Sequence, residues 1–149
     1  MKIKKGDKIP GSELFYLDQN NDVKKIDILD LCKGKTIILG MPGAFTKTCS
    51  ALHLPGYIKN YELATKKGIT KIICIAVNDP NVMKAWGENQ KTGTKIFMAG
   101  DPFLKFTKAI GKNLDSPKHL KLNLDKKETF DIIGNSNSEV KNYILGKIQ

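Results

Sequence analysis

Two compact apolar runs in this chain read as buried strands. They are Thr36–Leu39 (Ile37, Ile38, Leu39) and Lys71–Val77 (Ile72, Ile73, Cys74, Ile75, Ala76, Val77). A strand whose successive residues are all apolar is covered on both faces, so both read as buried strands. Gly11–Asp18 reads as a strand with Leu14 and Tyr16 on one face, Gln19-Asn20-Asn21-Asp22 as a turn, and Val23–Ile28 as the return strand. Asp27–Cys32 holds a helical turn ahead of Lys33-Gly34, and Gly40-Met41-Pro42-Gly43 ends the first buried strand in a turn.

Helical signals follow each buried strand. Thr46 and Thr48 offer N-caps for a helix from about Cys49 to Lys67 that stops at Gly68 and kinks at Pro55-Gly56. Asp79 caps the next helix with Pro80 at its first position, and Val82 and Trp86 form its inner face. Lys95–Met98 predicts a third short strand. Pro102–Ile110 predicts a helix with Phe103, Phe106 and Ile110 inward, ended by Gly111. In the tail, Leu120, Leu122 and Leu124 alternate with polar residues as a half-exposed strand. Ser136-Asn137-Ser138-Glu139 has the form of a capping box before a helix bearing Val140, Ile144 and Ile148. Strands alternating with helices predict an α/β domain, helices packed on a central sheet. No linker or repeat divides residues 1–149, which read as one domain.

Composition narrows the function. At 149 residues and 40% hydrophobic, the chain holds a real core and is neither disordered nor collagenous. No apolar run approaches the roughly 20 residues of a membrane-spanning helix. The basic start Met1-Lys2-Ile3-Lys4-Lys5-Gly6-Asp7 has no apolar segment behind it, so the expectation is a cytoplasmic protein with no signal peptide. The net charge of +10 arises entirely from lysine, with no arginine in the chain. The lysines are dispersed and not interleaved with aromatics, which argues against a nucleic-acid partner.

Three cysteines, Cys32, Cys49 and Cys74, make an odd count without a CxxC, against a secreted disulfide framework. Two histidines, His53 and His119, are too few for a metal site. Cys74 lies within an apolar strand and reads as an inert core thiol, and Cys32 reads as structural. Cys49 differs. It opens a helix that follows a buried strand, where unpaired backbone N–H groups and the helix dipole favour an anion by up to about 2 kcal/mol. That field pulls the thiol below its ordinary range and raises the thiolate fraction. Thr46 places a hydroxyl near the sulfur as donor and acceptor, and the ring of Pro42 shields it from water. His53, four residues on, reads as a packing or interface residue rather than a base.

Pro42-Gly43-Ala44-Phe45-Thr46 with Cys49-Ser50 and His53-Leu54-Pro55-Gly56-Tyr57 resembles the active-site signature of the type-5 peroxiredoxins, in the AhpC/TSA branch of the thioredoxin fold. Val77-Asn78-Asp79, Met83-Lys84-Ala85-Trp86-Gly87, Gly100-Asp101-Pro102 and Phe106-Thr107-Lys108-Ala109-Ile110-Gly111 extend the likeness over about residues 5–115, and more weakly over Leu120–Ile148. The resemblance implies a three-layer thioredoxin-like fold and a thiol peroxidase without a bound cofactor. It makes Cys49 the nucleophile, Thr46 the hydroxyl that bonds the peroxide, Pro42 the shield, and Gly43 and Thr48 substrate-binding residues. It also implies a homodimer, with Pro42–Phe45 and the segment near Pro102 at the interface. No cysteine follows Cys74, so the expected cycle uses one cysteine, reduced by glutathione, glutaredoxin, thioredoxin or another external thiol. Cys32 as an internal resolving thiol is the alternative.

The chain departs from the family pattern at one point. Family members hold an arginine beside the sulfur, on a strand after the Phe-Thr-Lys-Ala helix. Here that stretch is shortened between Asp115 and His119, and Lys47, Lys118 and Lys121 are the cations to consider instead. A lysine supplies charge but not the bidentate fork. Loss of one preorganised donor costs about 10²–10³-fold in rate. The alternative function is therefore a weak or silent thiol sensor or interaction module on the same fold. The shortening further predicts that a sheet strand is missing, with Leu120–Asp125 in its place or an open edge left behind.

Overall fold

Ile37, Ile38 and Leu39 are each at most 1% exposed, which requires helices on both faces of the strand that carries them. The structure, a computed structural model, describes residues 9–32, 35–41, 44–45, 54–109, 130–135 and 139–142. The described elements are β1 (Glu13–Leu17), β2 (Val23–Asp27), α1 (Ile28–Leu31), β3 (Lys35–Met41), α2 (Leu54–Lys59), α3 (Tyr61–Lys66) and β4 (Ile69–Ala76). They continue as α4 (Pro80–Gln90), β5 (Phe97–Gly100), α5 (Lys105–Ala109), β6 (Phe130–Asn135) and β7 (Glu139–Asn142). The strands form one sheet in the order β2-β1-β5-β4-β3-β6-β7. The central β5, β4 and β3 are parallel and the flanking pairs antiparallel.

Alternation along the central strands divides the core in two. Ile37, Leu39, Ile72, Cys74 and Ala76 point to one face and pack with Leu54 and Tyr57 of α2, Ala64 of α3, and Met83 and Trp86 of α4. Ile38, Ile73 and Ile75 point to the other and pack with Leu14, Ile28 and Leu31 of α1, Cys32 and Phe106 of α5. This is the three-layer thioredoxin-like arrangement that the family resemblance implies. Leu14 and Tyr16 share a face, with the Tyr16 ring against Phe97 at 5.0 Å. Asp79 accepts from the Asn81 and Val82 amides at 2.8 and 3.0 Å, with Pro80 first in α4. Gly68, at φ +91°, takes the left-handed turn that ends α3 before β4. Among the described residues no helix is long and apolar enough to cross a membrane.

Several expectations are corrected. β3 runs on through Gly40 and Met41, where the sequence predicts a turn; β4 continues beside them in register. The break in the long helix falls at Asn60, not at Pro55-Gly56. Asn60 Nδ2 donates to the Gly56 carbonyl at 2.8 Å, and its own N–H reaches the same oxygen at 3.1 Å. Such back-bonding competes with the helical ladder. The inner face of α4 centres on Met83, Trp86 and Gly87, while Val82 is half-buried. Lys95 belongs to a turn, its N–H bonded to Thr92 O at 2.9 Å, so the third parallel strand starts two residues later than predicted. The fifth helix begins at Lys105, because Leu104 has φ +59° and Asp101 caps the helix from below. Phe103 is therefore 67% exposed and lies edge-on to Phe15.

The largest correction concerns the tail. Glu139–Asn142 is a strand, not the first turn of a helix, and pairs with β6 from Asn135↔Glu139 to Ile132↔Asn142. A three-residue connection suits a hairpin as well as a cap. β3 decides between them, since its outer edge is filled by Phe130–Asn135 from Lys35↔Asn135 to Gly40↔Phe130. The outer edge of β3 is thus covered, by a segment not read as a strand. Leu120–Asp125, Ile110, Gly111, Ile144 and Ile148 lie outside the described residues.

Candidate active site at the carboxyl edge of the parallel strands

Met41 of β3 pairs with Ala76 of β4, and Ala76 pairs with Gly100 of β5. The three parallel strands therefore end together, and the segments leaving them share one edge. That edge is where open α/β sheets place their ligands. Pro42–Cys49 leaves it from β3, Val77–Asp79 from β4 and Asp101–Leu104 from β5. Pro42, Gly43, Thr46, Thr48, Cys49 and His53 themselves lie outside the described residues, as do Lys47, Lys118 and Lys121. What the structure describes is the frame that receives them.

The frame is tied across all three strands. Asp101 N–H donates to Ala76 O at 2.9 Å. The buried Asp101 carboxylate accepts from Thr107 N at 2.8 Å, Thr107 Oγ1 at 2.7 Å and Phe106 N at 3.3 Å, which caps α5. Gly100 permits the closest approach. A Cβ there would stand 2.3 Å from the main-chain oxygen of Asn78, so no other residue fits. Asn78 in turn accepts the Ala44 amide on Oδ1 at 2.8 Å, across 34 positions of sequence. Phe45 follows at φ +62°, a conformation that costs a residue with a Cβ about 1–3 kcal/mol unless its surroundings hold it. Its ring is half-exposed and meets the fully buried Trp86 at 6.4 Å.

Among the described residues the carboxylates of this edge, Asp79 and Asp101, are both taken up by helix amides. Neither is placed as a general base. No group of three described His, Cys, Asp or Glu side chains is arranged to hold a metal. The described cysteines are also set apart from chemistry, since Cys32 is 3% exposed and Cys74 is fully buried, as the sequence predicted. Two of three thiols are enclosed in the core, and the third, Cys49, belongs to the segment that leaves the carboxyl edge.

The Redoxin family profile matches residues 4–144. The chain belongs to the redoxin family. This redoxin is 40% identical over 111 residues to peroxiredoxin-2D of Arabidopsis thaliana, a match covering 74% of this chain and 68% of that protein. Its structure is similar to that of reduced Prx3 from Vibrio vulnificus in complex with hydrogen peroxide. The TM-score is 0.79 at 30% identity, covering 95% of this chain and 89% of the other. It is likewise similar to peroxiredoxin 5 from Alvinella pompejana, with a TM-score of 0.77, 32% identity, and 94% and 87% of the two chains covered. The redoxin thus has the thioredoxin-like fold of the type-5 peroxiredoxins.

Asn78 is the functional candidate that sequence reasoning passed over. In the sequence Val77-Asn78-Asp79 stands out only as a tripeptide of the family resemblance, and nothing local to it signals a partner 34 residues away. Cys32 yields a pH-dependent prediction for this redoxin. Burial pushes its thiol up to about 11, the positive Lys71 pulls it partly back, and Asp27 adds to the rise. In the unfolded chain the thiol ionises near its ordinary value of 9.0. Below that both states keep the proton and the stabilisation is whole. Above it only the unfolded chain ionises, so stability drains away as pH climbs towards the folded value. Denaturant unfolding at about pH 8 and about pH 10.5 should show wild type losing on the order of 2 kcal/mol more than Cys32→Ala does. Equal losses would show that this thiol ionises freely in the fold.

Proposed function

We propose that this redoxin is a thiol peroxidase acting on hydrogen peroxide and alkyl hydroperoxides through Cys49, with residues 1–149 working as one domain. The observation that carries this reading is the placement of the three thiols: Cys32 and Cys74 are enclosed, and Cys49 follows the edge where three parallel strands end. The similarity to a peroxiredoxin solved with hydrogen peroxide supports the substrate class.

In the proposed step the Cys49 thiolate attacks one peroxide oxygen. An S–O bond forms, the O–O bond breaks, and the departing oxygen takes a proton to leave as water or alcohol. The cysteine becomes a sulfenic acid. Thr46 bonds the peroxide, Pro42 limits water, and Gly43 and Thr48 contribute to binding the substrate. An external thiol then condenses with the sulfenic acid, forming a mixed disulfide and releasing water, and a second thiol attacks the external sulfur of that disulfide, freeing the Cys49 thiolate and releasing the two external thiols joined as a disulfide. Glutathione, glutaredoxin and thioredoxin are the reductants proposed, in a reducing compartment such as the cytoplasm. The one-cysteine cycle rests on the lack of any cysteine after Cys74 and on the burial of Cys32. No prosthetic group enters this chemistry. Phe45 and Phe103, 51% and 67% exposed beside the carboxyl edge, support a homodimer closing over this end.

Treatment with stoichiometric hydrogen peroxide in the presence of dimedone should label the Cys49 peptide and leave Cys32 and Cys74 unmodified. Labelling of either buried cysteine in preference to Cys49 would overturn the reading. The complete lack of arginine favours a second reading, a thiol sensor that is oxidised but turns over poorly. Labelling without catalytic peroxide consumption on adding reductant would select it.

A further inference from the structure

We propose that Asn78 is a positioning residue for the peroxide step: its side-chain oxygen fixes the Ala44 amide, and through it the segment carrying Thr46 and Cys49. The inference rests on the peroxidase reading above.

The main chain of Asn78 is held on both sides. Before it, Ala76 O accepts from Asp101 N at 2.9 Å. After it, Asp79 accepts the Asn81 and Val82 amides on its carboxylate, and its carbonyl accepts from Met83 N at 3.1 Å. Beneath it lies Gly100, whose missing side chain leaves room for the Asn78 carbonyl. A carboxamide on so fixed a backbone presents its oxygen at one place. Ala44 N–H meets it at 2.8 Å, half-buried and within reach of the core around Trp86.

Ala44 is two residues before Thr46 and five before Cys49. Consecutive Cα atoms are about 3.8 Å apart, so a chain anchored at Ala44 can carry a residue two positions on no farther than roughly 7–8 Å. The next residue, Phe45, is left-handed, and the Ala44 bond and the Trp86 contact are what the described structure offers to hold it. Displacement of a reacting group by about 1 Å can cost on the order of 10²-fold in rate.

Three proteins test the role: wild type, Asn78→Ala, and Asn78→Asp, which keeps an acceptor oxygen. Hydrogen exchange at the Ala44 amide should speed up about 10-fold or more in Asn78→Ala and stay slow in Asn78→Asp. Oxidation of Cys49 by hydrogen peroxide should slow about 10- to 100-fold in Asn78→Ala, and Asn78→Asp should recover most of that loss. Alkylation of Cys49 by iodoacetamide, which needs no peroxide alignment, should change less than about threefold in either variant. Unchanged Ala44 exchange overturns the proposal, and so do equal losses of peroxide and iodoacetamide reactivity, which would mark a merely structural residue. A wild-type peroxide rate no faster than that of Cys49→Ser removes the peroxidase reading itself, and this role with it, whatever the amide shows.

Discussion

Serine at position 49 is expected to abolish peroxide turnover, lowering kcat/KM by about 10⁴-fold or more, as loss of a covalent nucleophile does elsewhere. The two side chains differ by one atom, but that atom is the reagent. A thiol ionises near neutrality with help from nearby amides, whereas a serine hydroxyl does not, and only sulfur forms the sulfenic acid that closes the cycle. Alanine at Cys32 or Cys74 should instead leave turnover within about threefold, because both side chains are buried in the core. The measurement is peroxide consumption with an external thiol in excess. Equal rates for wild type and Cys49→Ser would mean that oxygen–oxygen cleavage occurs elsewhere or not at all.

Trp86→Ala is expected to destabilise the fold by about 3–5 kcal/mol, the usual cost of removing a large buried aromatic side chain. Trp86 is fully buried and packs with Leu54, Tyr57, Met83 and the inward side chains of β3 and β4. A loss of that size in a chain of this length lowers the thermal midpoint by about 10 °C. The substitution also removes the ring against which Phe45 rests. Peroxidase activity should therefore fall even well below the melting transition. Trp86→Phe, which refills most of the space, should retain more than half of the lost stability. A midpoint shift under about 3 °C for Trp86→Ala would show that the neighbours close the cavity.

Where a structural decision was local, it was legible in the chain. Asp79-Pro80 reads as a helix start because the cap, the proline and the amides they serve lie within four residues. The unbroken runs in β3 and β4 announce a sheet covered on both sides. The misreadings come from positions where a distant partner or an unusual backbone angle wins. Phe103 looks inward-facing by spacing, yet the left-handed Leu104 keeps it out of the helix. Glu139 looks like a capping residue, yet β3 recruits β6 and β6 then recruits Glu139–Asn142. At the site, the motif around Cys49 was visible as a likeness. The carboxamide of Asn78 was not, because its partner is far away in sequence and close only once three strands end in register.

The placement of β6 also bears on how the chain reaches its native state. Leu39 pairs with Asp131 across the ladder, so one flank of β3 is completed by residues synthesised long after it. Such distant pairings are slow, because a long loop must close before they yield any stabilisation. Until Phe130 emerges, nascent β3 exposes an unpaired ridge of amides and carbonyls beside three apolar side chains, a template for aggregation. Folding yield should consequently depend on temperature and on chaperone supply during translation more than the finished molecule's stability would suggest.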